Sequence, residues 1–171
     1  LQQSDGVLVN SVSFAGKPTD TWALARRPDG TVVVAGSFTQ RDDGTQNLVA
    51  GLGLLSGESF GLDAGWRPVA GGQAEVRALA RQADGRIVAA GDFYLAGGQR
   101  RNGLARFDAA GTFDATLVPP AVEGGVSTGV VVHADGRLVV GGTYYRVAAT
   151  DNRDLALLSA TGAYEAGSYA G

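Results

Sequence analysis

The sequence predicts an all-β protein built of repeated antiparallel sheets, and three observations carry that prediction. The chain repeats itself: Ala23-Leu24-Ala25-Arg26-Arg27-Pro28-Asp29-Gly30 returns as Ala78-Leu79-Ala80-Arg81-Gln82-Ala83-Asp84-Gly85 and again as Gly129-Val130-Val131-Val132-His133-Ala134-Asp135-Gly136. Such self-similarity at a fixed period marks repeat architectures. Each Asp-Gly pair separates two apolar runs, the strongest short signal of a tight hairpin, whose two central residues are expected at positive φ. The runs Val32–Phe38, Ile87–Phe93 and Leu138–Tyr144 are rich in β-branched residues and apolar without alternation, so their strands are expected to be buried on both faces.

Taken in order, Ser4-Asp5-Gly6 predicts an N-terminal hairpin (residues 1–20). The first repeat (21–73) carries the Asp29-Gly30 turn and a second hairpin from Val49 through Gly57; the second (74–125) carries Asp84-Gly85 and Leu104–Gly111. The third (126–171) carries Asp135-Gly136 and Leu155–Gly162. Two hairpins per period make four strands, and sheets buried on both faces must stack between neighbours. The expected architecture is a β-propeller-type array of four-stranded antiparallel blades, three full repeats plus the N-terminal hairpin, in a single repeat domain. Gly36, Gly91, Gly141 and Gly142 suit close backbone approach near an axis. Four blades of this period need about 208 residues, so the array is expected to belong to a larger or multi-chain propeller. The start at Leu1 and the absence of Met fit a processed product or a piece of a longer protein.

Composition narrows the chemistry. Fourteen basic residues against seventeen acidic give a net charge of −3, without the basic footprint of a nucleic-acid binder. There is no cysteine for a disulfide or thiolate, and one histidine, His133. The apolar runs are too short to span a membrane. No nucleophile or paired-carboxylate motif stands beside His133, and no cofactor is expected. On these grounds the chain is expected not to be an enzyme.

The second repeat, with Ala83-Asp84-Gly85, Gly91-Asp92-Phe93, Arg101-Asn102-Gly103-Leu104-Ala105-Arg106-Phe107-Asp108, Gly111 and Phe113-Asp114, resembles the delta-60 repeat family of bacterial propeller-like proteins. The first repeat departs from that pattern at Leu52-Gly53, and the third reads Asn152-Arg153 in place of the Arg-Asn pair. The resemblance covers nearly the whole chain. It implies a β-propeller and a secreted or cell-surface bacterial setting, and it implies no common activity.

Three eleven-residue loops, Ser37–Asn47, Asp92–Asn102 and Thr143–Arg153, vary in content on a repeated frame, and function tends to reside in such loops. Phe38, Phe93 and Tyr144 recur and are expected to pack the blades. Tyr94, Arg100, Arg101, Tyr145 and Arg146 read as non-repeated contact candidates, since Tyr and Arg anchor recognition surfaces. Trp66 is an additional contact candidate before Arg67-Pro68. Asp42 and Asp43 are the candidates for a cation, although they lack the alternating acids of a calcium loop. Asp29, Asp84 and Asp135 are read as turn residues rather than ligands. The function expected is non-enzymatic recognition of a protein or glycan partner by variable loops. The alternative is a structural subunit that joins further propeller repeats or other subunits through open blade edges. Neither nucleic acid nor membrane insertion is expected.

Overall fold

The computed structural model describes residues 20–42, 45–56, 61–62, 70–71, 75–151 and 154–166. The Ser4-Asp5-Gly6 hairpin, Asp43 and Trp66 lie outside the described residues, and Asp42 is described in its backbone alone. Among the described residues every regular element is a strand, and no helix is long and apolar enough to cross a membrane.

The first blade is a four-stranded antiparallel sheet of β1 (Thr21–Arg26), β2 (Val32–Asp42), β3 (Thr45–Ser56) and β4 (Gly61–Leu62), paired in that order. The end of the first repeat contributes β5 (Ala70–Gly71), and the second contributes β6 (Glu75–Arg81), β7 (Ile87–Asp92), β8 (Leu95–Ala96), β9 (Gln99–Arg100) and β10 (Leu104–Phe107). Its blade is β6-β7-β10, with the fourth strand reduced to a bridge between Phe107 and Phe113. The end of the second repeat contributes β11 (Val122–Glu123), and the third contributes β12 (Ser127–Val132), β13 (Leu138–Gly142), β14 (Arg146–Val147), β15 (Thr150–Asp151) and β16 (Leu155–Leu158). Its blade is β12-β13-β16, closed by a bridge between Leu158 and Tyr164.

Strand alternation sends successive residues to opposite faces, and the pairing register turns this into rows across each sheet. Facing the next blade are Ala25-Val33-Leu54, Ala80-Val88-Arg106 and Val131-Val139-Leu157; facing the previous one are Leu24-Val34-Gly53, Leu79-Ala89-Ala105 and Val130-Val140-Ala156. The core follows these rows. Val33, Ala35, Leu52 and Leu54 of the first blade pack with Val76, Ile87, Ala89, Ala105 and Phe107 of the second. Val88, Ala90 and Leu104, on the opposite face of that second sheet, pack with Val130, Leu138, Val140, Ala156 and Leu158 of the third. Val88 and Ala89 are both 0% exposed, which is why Ile87-Val88-Ala89-Ala90 is apolar without a break.

The Asp-Gly turns differ from the sequence expectation. Only the glycines, Gly30, Gly85 and Gly136, have positive φ (87°, 87° and 89°). The bonds Arg27 N to Thr31 O and Gly30 N to Arg27 O, with equivalents at Gln82 and His133, define a three-residue loop: a type I turn followed by a left-handed glycine. Pro28 explains the choice in the first repeat, because its ring fixes negative φ at the first turn position. Asp29, Asp84 and Asp135 each accept the amide of the residue two further on, at 3.0, 3.1 and 3.0 Å.

Between blades, buried guanidinium groups hold neighbouring turns together. Arg27 Nη2 donates to the Ala109 carbonyl of the second blade, and Arg106 Nη1 donates at 2.9 Å to the equivalent Ala160 carbonyl of the third. Arg106 is 4% exposed and fully engaged. Its Nε meets Asp114 at 2.8 Å, Nη2 meets Thr116 at 2.9 Å, and Nη1 also reaches Gln82 at 3.3 Å. Gln82 occupies the position of Arg27, so the same bond is supplied from a different residue at each junction. At the other end a β-bulge interrupts the first hairpin of every blade, and the bulged Trp22 of one blade carries the Arg77 guanidinium of the next at 5.2 Å from its ring centre.

Candidate recognition surface

The loop end lies opposite the Asp-Gly turns and holds the variable segments. In the first repeat the hairpin simply continues, with Asp42 pairing with Thr45. In the other two the chain bends at Tyr94 and Tyr145 and forms a detached ribbon. β8-β9 adds to β5, and β14-β15 adds to β11, so each ribbon is the centre and edge of a three-stranded minisheet. The loops are therefore ordered platforms rather than irregular connections. Their inner anchors are Phe93 (6% exposed) and Tyr144 (1% exposed), whose rings fill the core. The Tyr144 hydroxyl donates to the Val140 carbonyl; burial, and then the negative charge of Asp154, push its pKa up to about 12.

Tyr94 and Tyr145 prove to be equivalent residues, one per repeat, and both stand half in solvent (54% and 50% exposed). The reading of them as non-repeated is corrected by their shared place at the start of each ribbon. The Arg100 guanidinium lies 4.4 Å from the centre of the Tyr94 ring, and the Tyr145 ring lies over Gly124, where a Cβ would meet Cε1 at 1.8 Å. Arg146 is held within its minisheet by Glu123 (3.3 Å), Asp151 (3.4 Å) and the Ala149 carbonyl (2.9 Å).

Arg101 is a second correction. Expected as a contact residue, it is only 6% exposed. Its guanidinium rests 4.7 Å from the centre of the Phe113 ring and donates to the Arg100 carbonyl and to Gln99 Oε1, both at 2.7 Å. The long alkyl stem and planar head make it a brace for the ribbon.

At the foot of Tyr94 a cavity of about 150 Å³ opens between the second and third repeats. Its lining includes Asp92, Tyr94, Asn102, Val122 and Val126. The carboxylate of Asp92 is exposed and has no hydrogen-bond or ion-pair partner among the described residues. Sequence reading missed Asp92 and Asn102 as lining residues, because they are brought to Val122 only by the stacking of two blades.

The turn end holds a wider open cleft of about 730 Å³, lined by Arg81, Asp84, Arg86, His133 and Asp135 among others. His133 Nδ1 stands 2.9 Å from Asp135 Oδ1, and Arg137 Nε donates to the other carboxylate oxygen at 2.8 Å. The Arg137 amide, then, against the effect of burial, the His133 and Arg137 side chains, hold the Asp135 carboxyl down to about 2. Among the described residues, no group of three or more acids or histidines is placed to hold a metal ion.

A family model described as a domain of unknown function (DUF5122) beta-propeller matches residues 27–50, 82–117 and 133–163. No curated protein matches the chain. Among solved structures, a gluconolactonase from Xanthomonas campestris is similar with a TM-score of 0.58 at 15% identity, over 95% of this chain and 52% of that one. The chain thus spans about half the length of this structural neighbour. The expectation that the chain is not an enzyme is corrected by that neighbour, because an enzyme is carried on the same fold. The physical reason is that stacked blades assemble a site from distant positions, so the lack of a local motif excludes nothing.

Proposed function

Since this chain belongs to the DUF5122 β-propeller family, we propose that it is a recognition module that binds a glycan at the rim formed by its second and third repeats. The observation that carries this reading is the half-exposed Tyr94 ring beside a 150 Å³ cavity that also holds Asp92 and Asn102. An aromatic ring offers a stacking platform for the apolar face of a sugar, while a carboxylate and an amide accept and donate to its hydroxyls. Tyr145 repeats the ring one blade further on, which suits an extended chain of sugars. The delta-60 resemblance adds a secreted or cell-surface setting to this proposal.

Titration of immobilised glycans tests it. Tyr94→Ala is expected to weaken binding at least tenfold and Asp92→Asn to weaken it with the melting temperature unchanged. A protein captured from solution and lost on Tyr94→Ala, with no glycan bound, would move the reading to a protein partner.

A second reading draws on the turn end, where His133 is oriented by Asp135 within an open cleft and keeps Nε2 clear of that contact. A carboxylate that fixes an imidazole through Nδ1 is the arrangement of a general base. Hydrolysis of a sugar lactone, the chemistry named for the structural neighbour, is the corresponding assay. Turnover lost on His133→Gln would establish this reading, and turnover unaffected by it would remove it.

A further inference from the structure

One position of the repeated frame, the residue before Phe38, Phe93 and Tyr144, is filled by Ser37, Asp92 and Thr143. In the first and third repeats its hydroxyl is bound to the backbone: the Asp20 amide donates to Ser37 Oγ and the Val126 amide to Thr143 Oγ1, each at 3.3 Å. Asp92 makes no such bond, and its carboxylate has no hydrogen-bond or ion-pair partner among the described residues. Glu75, opposite it in the strand pair, is taken by Arg77 at 2.6 Å. The side-chain amide of Asn102 is likewise without a partner among the described residues. Both groups line the 150 Å³ cavity, and Asp92 is the only charged side chain among its described lining residues. Arg100, stacked on Tyr94, is not part of that lining.

We infer that this cavity selects an uncharged pyranose ring and refuses acidic sugars, a specificity that rests on the glycan reading above. A cavity of about 150 Å³ admits one six-membered ring. A carboxylate accepts hydrogen bonds and donates none, so the ligand atoms it meets must be donors. Two adjacent ring hydroxyls offer two donors to its two oxygens, and the Asn102 side chain supplies the complementary N–H groups. The carboxylate of a uronate or the sulfate of a sulfated sugar offers acceptors alone. It also sets a like charge beside Asp92, with no cation in the lining to neutralise either. Asp92 is thus the specificity-determining residue, attractive to one class of sugar and repulsive to the other.

Methyl glycosides matched except for oxidation at the exocyclic carbon, glucoside against glucuronide and galactoside against galacturonide, test this by NMR titration that follows the Asn102 side-chain amide. At least one neutral glycoside is expected to shift that amide, with its uronide bound about tenfold more weakly. Asp92→Asn is expected to weaken the neutral sugar and strengthen the uronide, bringing the two within about twofold. Asp92→Ser, which places the first repeat's residue in the same frame, is expected to lose the discrimination in the same way with the fold kept. A uronide bound as tightly as its neutral partner, or a preference unchanged in both variants, would overturn the inference and leave glycan recognition standing. If no sugar of either kind binds, here or on immobilised glycans, the glycan reading itself falls and this specificity with it.

Discussion

Arg106 shows how one residue can decide a junction. Its guanidinium is buried between the second and third blades with every nitrogen engaged. Removing one partner of a buried ionic cluster leaves the rest unpaired and costs about 3–5 kcal/mol. Arg106→Met is therefore expected to lower unfolding free energy by about 3 kcal/mol in urea titrations, with Asp114 and the Ala160 carbonyl stranded. Asp135 contributes to the acid limb beside Asp29 and Asp114, whose carboxyls are also held below the ordinary value. Its folded pKa, about 2, lies below the ordinary aspartate value of 3.8, so its contribution to stability is present above pH 3.8 and is lost as pH falls through about 2. Asp135→Asn should flatten that part of the stability–pH profile, as melting curves across acid pH would record.

At the scale of elements, the two ribbons solve one geometric problem with unequal residues. The tip of β8-β9 is Gly97-Gly98 (φ 55° and 74°), whereas the tip of β14-β15 is Ala148-Ala149 (φ 50° and 63°). Two left-handed residues make the turn that matches strand twist, and a Cβ there costs roughly 1–2 kcal/mol per residue. Ala149→Gly is expected to raise the melting temperature slightly, by about 1 kcal/mol of stability once the flexibility of glycine in the unfolded chain is deducted. Gly91 has the opposite requirement. A Cβ on it would stand 2.0 Å from the Glu75 carbonyl oxygen, beside the bulge between Val76 and Ala78. Gly91→Ala should cost about 1–3 kcal/mol and should appear as a reduced urea midpoint.

Across the whole molecule, coverage sets the order of stability. The second blade packs against a neighbouring blade on both faces, while the first and third each pack against one. Amide exchange is expected to be slowest in β6, β7 and β10 and faster in β1 and β12, since local opening follows the number of buried contacts.

The sequence by itself determined the period, the hairpins and the strands buried on both faces, because turn glycines and unbroken apolar runs are local consequences of backbone sterics and burial. It also marked the three equal loops on which Tyr94 and Tyr145 stand. It misread Arg101, since an arginine written in a loop looks the same whether it reaches solvent or lies on Phe113. It set a two-residue turn where the tertiary structure has three. Only the stacking of blades decided that Asp92 and Asn102 share a cavity with Val122, that His133 shares a cleft with Asp84 and Arg86, and that Arg106 is a clamp. Those relations join residues from different sheets, and the distance between two sheets is fixed by packing, which no local pattern encodes.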